Sequence, residues 1–390
     1  MAAKKISHLI ILGIYFILFT LYQKENMFHM LDTSSQISTY SSLFLFVIAL
    51  FYILFNYKYP VYIDSTFKSF CAFEVVILVI SLFYSLFSPL SYNLMYFIIF
   101  IPLLSALFVR SVIINIDNER FILFVFLAFL IISLFYMQNH YVEILKDEDN
   151  VTNASYTILY LLPLLLCASN KFISILSVCI AVVIVIMSFK RGSISALSIG
   201  LLIYFYINNF KLNVKRSKLS SLIILSLGIG VFYECLIYFN EISDNTIFDR
   251  FQSIEEDRGS GRLDVFKHTV DMILSSNFLE ILFGHGWNQV VVNSNLGLSA
   301  HNDHLEIIYD FGILAYMMFL FMYVKLVQFN ISLVKIESNL AAPMAMSLVI
   351  FFIGSLISHI VIYPYYMTIF AITWTYMIMT TYKQSIKFHS

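Results

Sequence analysis

Charge is scarce in this chain. Only 12% of its 390 residues are Asp, Glu, Lys or Arg, 23 basic against 24 acidic, for a net charge of −1. There is no bulk basic field of the kind that attracts nucleic acid, so that class of partner is set aside. Cysteine is equally sparse. Cys71, Cys167, Cys179 and Cys235 each fall inside an apolar block, with no paired spacing, which argues against a disulfide framework or a metal set and for small buried hydrophobes. No small-residue cleavage site follows the opening MAAKKISHLIILGIYFILFTLY, so its apolar stretch is expected to stay as a first helix. The patterns NVT and NAS at 150–155 match the N-glycosylation acceptor but are too short to carry weight.

What the chain does have is apolar sequence. It is 60% hydrophobic and 17% aromatic, with a mean hydropathy of +0.85. Soluble domains hold roughly 45–50% apolar residues. The hydrophobic residues come in blocks of about 16–22, the length an α-helix needs to cross a bilayer. The expected fold is therefore all-α and polytopic. The blocks predict about twelve spans, near 6–22, 41–57, 69–87, 93–109, 121–137, 154–168, 172–188, 193–207, 219–239, 304–324, 341–360 and 365–381. Most are apolar all round, as lipid-embedded helices are. Pro102 and Pro163 sit within spans, and Pro364 suits the turn between the last two.

Cation placement sets the expected orientation. With the N-terminus cytoplasmic, 15 Lys and Arg fall inside and 8 outside, NNFKLNVKRSKLS (208–220) being the strongest inside marker. Both termini then lie inside. The chain reads as a single membrane domain, 1–390, with one large outer loop at 240–303. The acidic segment QNHYVEILKDEDNVTN (138–153) is also outside. Its Asp147–Asp149 triplet resembles the metal-binding pair of sugar-nucleotide glycosyltransferases, but on this face a solvated acidic loop is the simpler reading. Five of the eight outer cations, Arg191, Arg250, Arg258, Arg262 and Lys267, gather on the large loop or at a helix end that can face it.

That loop is not linker-like. In GSGRLDVFKHTVDMILSS, Ser260 is placed to cap a helix whose apolar residues Leu263, Phe266, Val270, Ile273 and Leu274 recur at helical spacing. Asp264 in its first turn suits the macrodipole. The helix is amphipathic and expected on the bilayer surface or on the spans below. In EILFGHGWNQ, Gly284 and Gly286 around His285 predict a tight turn, and Trp287 suits either the interface or stacking on a sugar ring. Next come His301, Asn302, Asp303, His304 and Glu306. On a helix starting near Asn302, His301 and His304 would share a face and are spaced to bind a metal; a satisfied polar cluster at the interface and an active site are the alternatives.

HNDHLEIIYDFGILA (301–315) resembles the HNxxLxxxxxxGxxG segment of the O-antigen ligase/polymerase superfamily. SGRLDVFKHTVDMI followed by LFGHGW (260–287) is similar to the stretch that precedes it there, and FKRGSISALSIGLL (189–202) to the superfamily's SRG segment at the outer start of a span. The three occur in the family's order. Ala315 stands where a second glycine is frequent, Lys190 where serine is usual, and Phe266 for a common tryptophan.

The resemblance implies a GT-C-like integral membrane glycosyltransferase of the bacterial inner membrane, with its loop and active site periplasmic. It implies a glycan donor on undecaprenyl pyrophosphate, and neither nucleotide nor metal cofactor. In that chemistry the donor's C1–O bond breaks and negative charge builds on the leaving pyrophosphate. Arginines suit it: Arg191, Arg258 and Arg262, with Arg250 behind them, are the expected clamp, and His285, Trp287 and His304 further substrate contacts. The acceptor hydroxyl needs a base or an orienting acceptor. His301 is the first candidate, its ring fixed by Asn302 and Asp303, with Glu306 the next. The expected function is O-antigen repeat-unit polymerase, with a chain-length regulator as a partner; the rivals are an O-antigen ligase acting on lipid A core and, from another class, a lipid-linked glycan flippase. Transporters usually show internal repeats and midplane charges. No repeat is visible here, and Glu74 is among few intramembrane charges.

Overall fold

The computed structural model describes residues 2–29, 36–56, 64–85, 96–144, 154–212, 218–242, 246–252, 261–295 and 297–389. Among these residues the architecture is helical throughout, without a strand. Helices occupy all twelve stretches expected to span: α1 (Ala2–His29), α2 (Gln36–Asn56), α3 (Ser65–Ser85), α4 (Tyr96–Asn115), α5 (Asn118–Ile144), α6 (Ala154–Leu165), α7 (Lys171–Met187), α8 (Arg191–Tyr206), α9 (Lys218–Ile242), and, after a run of short helices, α15 (Gly312–Lys335), α16 (Ala341–Ile357) and α17 (Pro364–His389). Eight are both long and apolar enough to cross a membrane, and Ser155–Leu165, Lys171–Met187 and Ala341–Ile357 are apolar but shorter. The chain is a polytopic membrane protein.

The last helix is the exception that shows how the bundle is built. Every residue of 364–380 in α17 is buried, packed along α4 and α6. A helix enclosed by other helices needs no lipid-facing side chains, so α17 carries threonine, tyrosine and tryptophan at positions where α1 to α5 carry Ile, Leu and Phe. Two of these bond internally: Thr368 donates to the Pro364 carbonyl at 2.6 Å and the Trp374 indole to Ser347 at 2.9 Å. Pro364 opens the helix, where its missing N–H costs nothing. At the other extreme, only 6% of the α9 span is buried, leaving its apolar surface to lipid.

Between α9 and α15 the large loop folds into α10 (Thr246–Gln252), α11 (Arg262–Ser275), α12 (Phe278–Phe283), α13 (Gln289–Asn293) and α14 (Asp303–Glu306). The expected amphipathic helix is α11. Gly261 in a left-handed conformation precedes it, and Asp264 sits in its first turn. Val265 and Thr269 face the protein, while Leu263 and Leu274 remain 60% and 76% exposed and continue into exposed Phe278 and Leu279 on α12. This forms one apolar ledge. Asp147–Asp149 and residues 253–260, with Arg258 and Ser260, lie outside the described residues.

Candidate functional site

The run HNDHLEIIYDFG organises two adjoining structures. Its second half is a wide turn, Ile307–Phe311, closed by i→i+5 hydrogen bonds where α14 runs toward α15. Such a turn frees backbone carbonyls. Here the Asp310 carbonyl accepts from the His285 N–H at 3.1 Å and the Gly286 N–H at 2.7 Å. The Asp310 carboxylate accepts from the Asn288 N–H at 2.8 Å and the Val290 N–H at 3.0 Å. The GHG turn is thereby stitched to the start of α15. Gly284 and Gly312, both at φ +79°, let the two backbones touch: a Cβ on Gly284 would lie 2.2 Å from the Asp310 carbonyl oxygen, and one on Gly312 2.4 Å from that of Leu282. The Tyr84 hydroxyl, at the end of α3, donates to the Gly284 carbonyl and ties this interlock to the bundle.

Here the structure revises expectations. His285 is stacked on Tyr309 with ring centroids 4.1 Å apart, and its Nδ1 lies 3.0 Å from the Tyr309 carbonyl. Trp287 is 5% exposed and its indole donates to the Ile362 carbonyl at 3.1 Å. Both brace the turn through these contacts. His304 does not share a face with His301. His301 precedes the helix in a left-handed conformation (φ +52°), whereas His304 lies inside it and points at Tyr316, 3.2 Å from its hydroxyl, and edge-on at Phe319.

The first half of the run builds the cavity. Asn302 caps α14, its Oδ1 accepting from the Leu305 N–H at 3.1 Å, and its Nδ2 donates to the Leu356 carbonyl at 3.0 Å. The fully buried Asp303 carboxylate accepts from the Ile360 N–H at 3.0 Å and the Val361 N–H at 3.2 Å. These residues were expected to orient His301. They instead clasp the segment between α16 and α17, and so position His359. The His301 and His359 rings lie 4.3 Å apart, tilted by 37°.

Around them is a cavity lined by Tyr156, Lys190, Arg262, His301, Ser358, His359, Tyr363 and Tyr366. Its walls come from α6, the residue that caps the start of α8, α11, His301 two residues before α14, and the 358–366 segment. Arg262 and His301, both expected in the site, line it. The basic partner beside them is Lys190, the departure from the family's serine, its ammonium 5.8 Å from the Tyr156 ring centre; Arg191 is not among the lining residues. Arg250 falls on α10.

Electrostatics follow from burial and these cations. Burial pushes His359 down to about 3, with Arg262 and Lys190 adding to it. Burial, then His359, Arg262 and Lys190, likewise lowers His301 to about 3. Both imidazoles are neutral at physiological pH, able to accept a proton but unfavourable as cations beside two others. Burial raises the Tyr363 hydroxyl to about 12, with Glu306 adding to it. Glu306, 1% exposed, stands behind His359, its Oε1 3.5 Å from the ring's Nδ1.

His359, Tyr156 and Tyr363 were not anticipated from the sequence. For His359 there was a signal: an ionisable residue in SHIVIYPYY, between two apolar spans at the end where the other histidines lie.

Residues 176–320 match the family model described as O-Antigen ligase. The matched segment contains Lys190, Arg191, Arg262 and His301 and ends before His359. A search of curated proteins gives no match to the chain.

Proposed function

We propose that this chain, with its O-antigen ligase/polymerase segment and its bundle of membrane helices, is an O-antigen repeat-unit polymerase of the Wzy type. The coarser assignment is to a glycosyltransferase-like membrane enzyme of O-antigen assembly, in the bacterial inner membrane. The finer one is that it takes a glycan from undecaprenyl pyrophosphate and joins it to the next lipid-linked repeat unit. The carrying observation is the cavity, where Arg262 and Lys190 meet His301 at one end of the bundle.

Two cations in a partly buried pocket suit a pyrophosphate. As the C1–O bond breaks, its electron pair stays on the departing phosphate oxygen, and a guanidinium and an ammonium aimed there stabilise the charge more in the transition state than before it. Removing one such donor typically costs about 10²–10³ in rate. The acceptor hydroxyl forms the new bond to C1, and neutral His301 is placed to hydrogen-bond and orient it. The apolar ledge of α11 and α12 suits the outer-leaflet surface, next to where a polyprenyl chain would leave the pocket. With the N-terminus cytoplasmic, three crossings bring Tyr84 to the periplasmic side, the end at which it meets Gly284 and the cavity opens.

The ligase reading remains the alternative, since the pocket chemistry is shared. Lipopolysaccharide from a deletion strain separates the two: core bearing one repeat unit marks a lost polymerase, bare core with accumulated lipid-linked polymer a lost ligase. His301→Ala and Arg262→Ala should reproduce the deletion pattern with the protein still in the membrane. A normal long-chain ladder from either variant contradicts the site.

A further inference from the structure

Glu306 is a buried carboxylate supported electrostatically by the backbone N–H groups of Ala300 and His301 but with no close hydrogen bond to either oxygen, and the Nδ1 of His359, also buried, lacks one too. These orphaned atoms face each other across 3.5 Å. Leaving buried polar atoms unpaired is costly, and one proton shared between Oε1 and Nδ1 satisfies both, whichever atom carries it. The other nitrogen of His359, Nε2, lies 3.3 Å from the Ser299 hydroxyl, which bonds to Tyr363, and His359 itself lines the cavity. The ring therefore stands between the cavity and the Glu306 carboxylate.

We propose that Glu306 and His359 form the proton relay of the transfer reaction, His359 being a catalytic residue that takes the acceptor's proton and Glu306 a positioning residue that acts through it. This rests on the glycosyl-transfer reading above. In the reactive, singly protonated form of the pair His359 holds its proton on Nδ1, toward the Glu306 carboxylate, and presents the Nε2 lone pair. The acceptor hydroxyl, its oxygen held by the N–H of neutral His301, gives its proton to Nε2 as that oxygen bonds to C1 and the pyrophosphate leaves with the C1–O electron pair. The Nδ1 proton passes to Glu306 Oε1. The ring ends neutral in its other tautomer, the carboxylate ends as the acid, and the proton count closes.

The surroundings favour this route over a lone histidine base. An imidazolium at His301 would be a third cation beside Arg262 and Lys190, with the hydroxyls of Tyr156, Tyr363 and Tyr366 and the buried Asp303 also nearby and Asp303 already committed to backbone N–H groups. The same cations and burial hold both imidazoles low. The relay creates no buried positive charge, and a carboxylate in apolar surroundings gains by accepting a proton.

The test uses the purified full-length protein and lipid-linked repeat units extracted from cells deleted for it, following transfer per folded molecule from pH 5.5 to 9. Glu306→Gln and His359→Gln should each be at least about a hundredfold slower at pH 7. Where the wild-type rate levels off, the Glu306→Gln rate should keep climbing with pH as hydroxide replaces the relay. Added imidazole should restore part of the rate of His359→Ala. Rates within threefold of wild type overturn the relay, as does a uniform loss with an unchanged pH profile and no imidazole rescue. A wild-type protein inactive on these lipids would instead overturn the transfer reading itself.

Discussion

Asp310 and Glu306 lie one helical turn apart, both about 1% exposed, in two adjoining regions with opposite habits. In the interlock of the GHG turn with the start of α15, the Asp310 carboxylate holds two backbone N–H groups, and the carbonyl beside it accepts two more. In the cavity wall, the Glu306 carboxylate makes no close hydrogen bond, with only electrostatic support from the Ala300 and His301 N–H groups, and faces an unpaired histidine nitrogen. Asp303 sides with Asp310, its oxygens taken up by Ile360 and Val361. Buried carboxylates saturated by backbone donors fix architecture; one left unsatisfied is a group whose partner arrives during function. The same dozen residues thus carry both a clasp and a reagent.

The comparison is broken most severely from the architectural side. Gly284→Val places side-chain atoms where the Asp310 carbonyl already sits and imposes φ +79° on a β-branched residue, a cost of about 3 kcal/mol or more. Extracted from membranes, this variant should give no monodisperse peak on size exclusion. A wild-type elution profile and Tm would mean that the interlock is not what positions the turn.

A smaller effect sharpens the contrast from the cavity side. An unfolded histidine titrates near 6.5, while His301 and His359 sit near 3 in the fold. Between those values the unfolded chain binds more protons than the native one, so stability is present at neutral pH and falls as pH drops below about 6.5. The Tm of the solubilised protein should decline from pH 7 to 4.5, and His359→Gln should flatten that decline. A Tm that rises on acidification would contradict the neutral, buried pair.

Much of this was legible in the chain because its signals are local. Apolar blocks place twelve helices, since each must face lipid or other helices over a bilayer's thickness. What they do not show is rank: α17 resembles its neighbours in length, and only its threonines and tyrosines hint that it is enclosed. Arg262 and His301 stood out as polar groups at a membrane boundary, and they meet. Lys190 was readable only as a departure from a pattern, and His359 lies far along the chain, past the matched segment, so nothing local pairs it with Glu306. Trp287 misled for a related reason. A tryptophan beside glycines suits a surface platform or a buried brace equally, and only the Ile362 carbonyl across the loop decides between them.

The central claim is that the satisfied and the unsatisfied carboxylate do different work, and one paired measurement tests it: Tm and transfer rate per folded molecule for Asp310→Asn and Glu306→Gln side by side. Asp310→Asn should lose Tm, since the amide accepts only at its one oxygen where the carboxylate accepted at both, while each molecule that folds keeps near-wild-type transfer. Glu306→Gln should keep its Tm within a few degrees and lose transfer by about a hundredfold or more. The reverse pattern, or two variants that lose both properties in equal proportion, would contradict the account.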